Sequence, residues 1–213
     1  LAALYAFVHL FNYTFSGLTP FVSGLVLFAI IVSLFLGYLS ALKQTSFRRM
    51  MAYSSIANTG FALFAVLNQQ AGEASLWFFM IGYACSTIAL VTINMMVEKD
   101  SDELSNWKGI GYSNPLIGIT LVISLLSMSG IPPFTGFFGK YLLLSSAFAN
   151  YLPFVVLAIV ASLIGAYLYL RFMVLSLSRQ GEGQKIKMSL IQALVLILCL
   201  AGILGGWLVL LIK

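Results

Sequence analysis

The chain has 213 residues, 61% of them hydrophobic and only 8% charged, with a net charge of +5. No soluble domain of this size covers its surface with so little charge. Apolar runs of about twenty residues recur, each long enough to span roughly 30 Å of hydrocarbon, and they are too continuous for barrel strands.

The reading is therefore an all-α polytopic membrane protein, since in lipid a helix satisfies its own backbone groups. Seven apolar segments follow in order: 1–12, 21–42, 50–68, 74–97, 115–149, 152–178 and 188–212. Their connections are short and carry nearly all the charge, so 1–213 reads as a single transmembrane domain. Leu1 opens inside an apolar run, and "LAALYAFVHLF" has neither a basic leader nor a small-residue cleavage site. That favours a piece of a longer protein over a signal peptide.

Basic residues alternate between connections. Lys43, Arg48 and Arg49 follow the second segment, Lys99 and Lys108 the fourth, and Arg179, Lys185 and Lys187 the sixth. The intervening "NQQAGE" and "NYLP" have none, so eight of the eleven basic residues fall on alternate connections. By the positive-inside rule these connections face the cytoplasm, matrix or stroma. "SFRRMMAYSS" is read as anchoring at that face, and "EKDSDELSNW" as a solvated loop.

The fifth segment, at 35 residues, is too long for one untilted span and too short for two. Pro132 and Pro133 remove two backbone donors and disfavour helix just before them. The spacing predicts half-helices over about 115–129 and 136–149, joined by "GIPPFTG", with Gly130, Pro132, Pro133 and Gly136 supporting the break. Irregular backbone at membrane depth survives where protein or a wet cavity surrounds it, and such breaks mark ion or substrate sites in transporters.

Lys140 follows the break, roughly 14 Å along the helix from the end of its segment. A charged lysine that deep costs at least about 2.5–3.5 kcal/mol. It needs a partner, a water cavity or loss of its proton, and we read it as a protonatable relay; the alternative is a snorkelling or ion-paired side chain. Arg171 in "YLYLRFMV" keeps its proton at physiological pH and reads as structural. His9, the single histidine, could relay protons or simply pack. Ser54 and Asn58, one turn apart, and Tyr83, Thr87 and Asn94 could line a polar path or serve tight helix packing. Cys85 and Cys199 sit in separate apolar segments and read as small buried hydrophobes. There is no nucleotide-binding glycine loop, cysteine cluster or haem-ligand pattern, and the short basic connections do not suggest nucleic acid.

Three blocks carry a family resemblance: "ALKQTSFRRMMAYSSIANTGF", "LSNWKGIGYSNPL" and "LSMSGIPPFTGFFGKYLLL". They resemble the C-terminal half of subunit N of NADH–quinone oxidoreductase (subunit 2 of respiratory complex I), an antiporter-like proton-channel family. The resemblance implies the last seven spans of a fourteen-span fold, with 115–149 as the broken helix of the second inverted repeat. It implies that Lys140 matches a lysine of the family's central charged axis, on a proton path toward the outside. Relatives often carry histidine in "SSIAHxG", where this chain has Asn58, which can still hydrogen-bond a water.

The implied activity is proton translocation by a non-redox subunit, with no cofactor of its own. NADH, flavin, iron–sulfur clusters and quinone are expected in partner subunits. The implied partners are other membrane-arm subunits, including neighbouring antiporter-like ones, the missing N-terminal half and the bilayer. The implied location is a bacterial inner membrane, or alternatively the mitochondrial one. Two further readings stay open: a large subunit of a multisubunit cation/proton antiporter, which shares "GIPP…GF.GK" and "AYSSI", and a structural membrane scaffold.

Overall fold

A computed structural model describes residues 2–14, 20–67, 72–97, 102–179, 186 and 188–205. The described elements are α1 (Ala2–Thr14), α2 (Pro20–Leu42), α3 (Phe47–Ala62), α4 (Phe64–Leu67), α5 (Gly72–Val97), a 3₁₀ turn (Leu104–Trp107), α6 (Ile110–Ser113), α7 (Pro115–Ser129), α8 (Thr135–Leu177) and α9 (Leu190–Gly205). Each of the seven apolar segments thus holds a helix, and the described residues contain no β-strand. Four stretches, Pro20–Leu42, Phe47–Leu67, Gly72–Val97 and Thr135–Leu177, are long and apolar enough to cross a membrane.

The 43 residues of α8 would extend about 65 Å, twice the hydrocarbon thickness. Its backbone leaves helical geometry at Tyr151 (φ −132°, ψ 36°), two residues before Pro153. This divides α8 into legs 135–150 and 152–177, close to the boundary expected between the fifth and sixth segments. The expected break within the fifth segment is also there, over 130–134. A break the sequence reading did not anticipate separates α3 from α4 at Leu63.

α2 lies along α3, and α5 packs against α7, α8 and α9. Large side chains such as Phe21, Phe28, Leu36, Leu163 and Leu198 point outward, while Ser54, Asn58, Ser86, Thr120, Ser124, Ser127, Thr135 and Lys140 are buried. Apolar outside and small or polar inside is the distribution that lipid imposes, because carbon surface faces acyl chains at no cost and polar groups do not.

One connection departs from expectation. The acidic run is not simply solvated along its described part, residues 102–107. Asp102 accepts the Arg48 amide (3.0 Å) and the Ser46 hydroxyl, and Ser46 in turn N-caps α3 by accepting from the Arg49 amide. Main-chain bonds Phe47 N–H to Asp102 O (3.2 Å) and Leu104 N–H to Thr45 O (2.8 Å) bridge the two connections. Trp107 is then fully buried, stacked on Phe47 at 4.3 Å and edge-on to Phe172 at 5.0 Å. The carboxylate thus satisfies helix N–H groups that would otherwise be unpaired at an N-terminus.

Arg179 lies over the Tyr112 ring. The described parts of the three basic connections therefore gather at one end of the bundle, termed here the basic-loop face. Glu98, Lys99, Asp100, Lys185, Lys187 and residues 68–71 lie outside the described residues.

Candidate functional site

The break in the fifth segment is built from the end of α7. Gly130 has φ 79°, ψ 43°, a left-handed conformation that costs a side-chain-bearing residue about 1–2 kcal/mol and glycine almost nothing. Its N–H bonds Ser127 O, and Ile131 N–H bonds Leu126 O, both at 3.1 Å, closing the helix in a Schellman motif. Pro132 and Pro133 follow, joined by a cis peptide bond, and both are exposed. Thr135 then starts α8 with its hydroxyl donating to Ile203 O of α9 at 2.6 Å. Gly136 N–H donates to Ser127 Oγ at 3.3 Å, and a Cβ on Gly136 would run into the Ser127 carbonyl. Glycine is required there by close approach of α8 to the end of α7.

The Schellman bonds use the Leu126 and Ser127 carbonyls and leave Met128 O free. Lys140 Nζ donates to it at 2.8 Å, folding back across the break from α8. The ammonium also lies 4.7 Å from the centroid of Phe61, and the residue is only 6% exposed. Among the described residues no carboxylate pairs with it. Its partners are a helix carbonyl terminus, where the dipole favours a cation, and an aromatic face. A charge-assisted hydrogen bond of about 1.5–3 kcal/mol and a desolvated cation–π contact of about 2 kcal/mol offset an insertion cost of about 2.5–3.5 kcal/mol. Lys140 can therefore stay at this depth without an ion pair.

Beside the amine is a small cavity of about 10 Å³, lined in part by Asn58, Phe79, Tyr83, Ser127 and Met128. That is room for about one water. Of the residues singled out from the sequence, the structure brings Asn58, Tyr83, Gly136 and Lys140 to this cavity. Ser54 lies one turn from Asn58 and accepts its amide at 3.4 Å. Thr87, one turn along α5 from Tyr83, is half-buried, with its hydroxyl turned inward.

His9 is elsewhere. It pairs with Glu73, in the first turn of α5, at 3.0 Å, stacked beside Tyr5. Arg171 donates to Leu42 O, the last carbonyl of α2, at 3.1 Å, in keeping with a structural part. Among the described residues no group of three or more His, Cys, Asp or Glu is placed to hold a metal ion.

Two participants were missed in the sequence. Tyr169 hydrogen-bonds Ser54 (2.5 Å) and accepts the Asn58 amide (3.1 Å). Tyr38 is fully buried and meets Tyr169 edge-on at 6.5 Å. Both had the appearance of ordinary interfacial or packing tyrosines, and only contacts more than 100 positions apart reveal them.

The family model for the transmembrane part of NADH:quinone oxidoreductase and Mrp antiporters matches residues 1–165. The chain belongs to this family. It is 32% identical, over 97% of its length, to NADH-quinone oxidoreductase subunit N 1 of Solibacter usitatus, and covers 45% of that protein. Against a chain of respiratory complex I from Thermus thermophilus it has a TM-score of 0.76 at 29% identity, covering 86% of this chain and 44% of that one. A chain of an archaeal membrane-bound sulfane sulfur reductase gives a TM-score of 0.78 at 26% identity, covering 94% and 43%. The chain spans less than half the length of these relatives. Its fold is that of the antiporter-like subunits of complex I, which matches the resemblance carried by the three sequence blocks.

Proposed function

We propose that the chain works as part of a proton-translocating, membrane-arm subunit of a NADH–quinone oxidoreductase, with Lys140 as the group that takes up and releases the proton. The observation that carries this is the Lys140 amine, buried with no carboxylate beside it among the described residues and held on the Met128 carbonyl beside a water-sized cavity lined in part by Asn58 and Tyr83. A protonatable amine needs a partner that holds its charged form and a route by which the proton leaves.

The subunit does no redox chemistry in this reading. NADH, flavin, iron–sulfur clusters and quinone belong to partner subunits, and their turnover reaches Lys140 as a change in the surrounding field or packing. Other membrane-arm subunits and the remaining part of the same subunit complete the channel in a bacterial inner membrane, with the basic-loop face toward the cytoplasm. The bacterial source of the related subunit N proteins supports that location.

The test is Lys140→Ala in the assembled complex, reconstituted into liposomes, with NADH oxidation and proton pumping measured together. The expected result is normal assembly with pumping per NADH clearly reduced; unchanged pumping would contradict the proposal. A cation/proton antiporter is the second reading, because the family model spans both kinds of complex. Sodium-dependent proton movement without NADH would favour it.

A further inference from the structure

We infer that a cleft at the basic-loop face binds one anionic phospholipid, with the phosphate on Arg171 and an acyl chain laid between the end of α2 and the second leg of α8. The inference is independent of the part played by Lys140.

The first observation is the chemistry of the walls. The cleft has a volume of about 520 Å³, within the range of about 300–1,000 Å³ common for small-ligand sites. Its helical walls are carbon, from Leu42 of α2, Met50 of α3, and Leu168, Phe172 and Val174 of α8. The connections that close it bring Gln44, Thr45, Glu103 and Ser105. Val174 faces outward, as do Leu39 and Leu170 close by in sequence, so the cleft opens on the apolar outer surface. An acyl chain fits such a wall, and a polar headgroup fits the rim above it.

The second observation is depth. The leg 152–177 is about 39 Å long, against a hydrocarbon core of about 30 Å, and Arg171 lies about 9 Å from its basic-loop end. Whether the excess length is shared by both ends or lies all at this one, Arg171 falls within about 5 Å of the border between acyl chains and headgroups. A long basic side chain reaches the phosphate level from there.

The third observation is charge. Arg171 gives one N–H to Leu42 O at 3.1 Å, whereas a guanidinium carries five donors in a planar fork that matches phosphate oxygens. Among the described residues no carboxylate forms an ion pair with it. Glu103, in the same lining, accepts the Ser105 hydroxyl at 3.0 Å, and Asp102 caps α3. Lys43, Arg48 and Arg49 flank the rim, so four cations face two carboxylates. A zwitterionic headgroup would bring a further cation among these four, and an anionic one would not. Free phosphate would leave the carbon walls without a partner. Basic pockets between helices on this side of a membrane suit anionic headgroups.

The test uses the assembled complex in nanodiscs of equimolar phosphatidylglycerol and phosphatidylcholine. A photoreactive benzoylphenylalanine replaces Val174 in the cleft or, as reference, the exposed Leu198 of α9. Lipid joined to each position on illumination is identified by mass spectrometry. Phosphatidylglycerol is expected to exceed phosphatidylcholine about fivefold at position 174, the effect of roughly one cation beside an anionic headgroup, with near-equal amounts at position 198. Arg171→Gln keeps a donor for Leu42 O and removes the charge, and should bring the two lipids level at position 174. Arg179→Gln removes a cation of the same face that lies over Tyr112 instead, and should leave the preference intact.

Equal capture of the two lipids at position 174 would overturn the inference, as would the same preference at position 198. So would capture of protein in place of lipid, which would make the cleft a subunit contact. Loss of the preference in excess inorganic phosphate would assign the site to free phosphate. A preference that survives Arg171→Gln would remove Arg171 from it. If Arg171→Gln does not assemble, the comparison of positions 174 and 198 in the parent decides alone.

Discussion

Lys140 and Arg171 lie in apolar helices of this chain beyond the terminal turn, and both are held in the same way. Lys140 donates to Met128 O in the last turn of α7, and Arg171 donates to Leu42 O at the end of α2. In each case a helix C-terminus supplies orphan carbonyls and the negative end of a dipole. The surroundings separate them. Arg171 is exposed beside a wide vestibule, whereas Lys140 is buried against Phe61 and a cavity with room for about one water. A cation on a helix end is thus a general means of finishing a helix in a membrane. Function comes from depth, from protic neighbours and from a side chain able to release its proton, which arginine cannot do.

The comparison breaks most sharply by exchanging the cations. Lys140→Arg should abolish the pumping that depends on this position, while Arg171→Lys should leave it near the parent level; equal effects at both sites would erase the distinction. Next in size is Gly136→Val, which pushes side-chain atoms into the Ser127 carbonyl. It should cost about 3 kcal/mol or more, at the upper end of overpacking penalties, seen as loss of assembled complex. Gly130→Ala forces a left-handed alanine whose Cβ would lie 3.1 Å from Lys140 Cδ. A loss of about 1–2 kcal/mol is expected, read as a lower thermal midpoint of the purified complex, with pumping reduced because the lysine is displaced. The smallest effect belongs to His9→Gln. Its pair with Glu73 is largely exposed and should contribute less than about 1 kcal/mol; a pumping defect as large as that of Lys140→Ala would move the site toward α1.

The broken helix was legible in the chain because its parts are local. Gly130, Pro132 and Pro133 are incompatible with continuous helix, and a lysine among leucines marks itself, so the half-helices fall within a residue or so of their expected bounds. The polar cluster was legible only in part. Ser54 and Asn58 share a helix face, which spacing reveals, but Tyr169 is 115 positions from Ser54. Nothing in "AYLYLRF" distinguishes its buried tyrosine from exposed Tyr167. The Met128 carbonyl was invisible for a different reason. A backbone acceptor has no sequence signal of its own, and which carbonyl stays free depends on how the Schellman motif closes α7. Asp102 was misjudged because a capping carboxylate and a solvated one look alike until the partner helix start, Ser46 to Arg49, lies beside it.

The central claim is that Lys140 acts by losing and regaining a proton, and Lys140→Arg tests it most directly. The variant complex, reconstituted with its orientation known, is assayed for protons moved per NADH oxidised beside parent and Lys140→Ala complexes of equal assembly. Arginine keeps the charge and can still reach a carbonyl, so a structural cation would be replaced successfully. The expected result is that Lys140→Arg pumps no better than Lys140→Ala. Pumping at the parent stoichiometry in the arginine variant would contradict the claim.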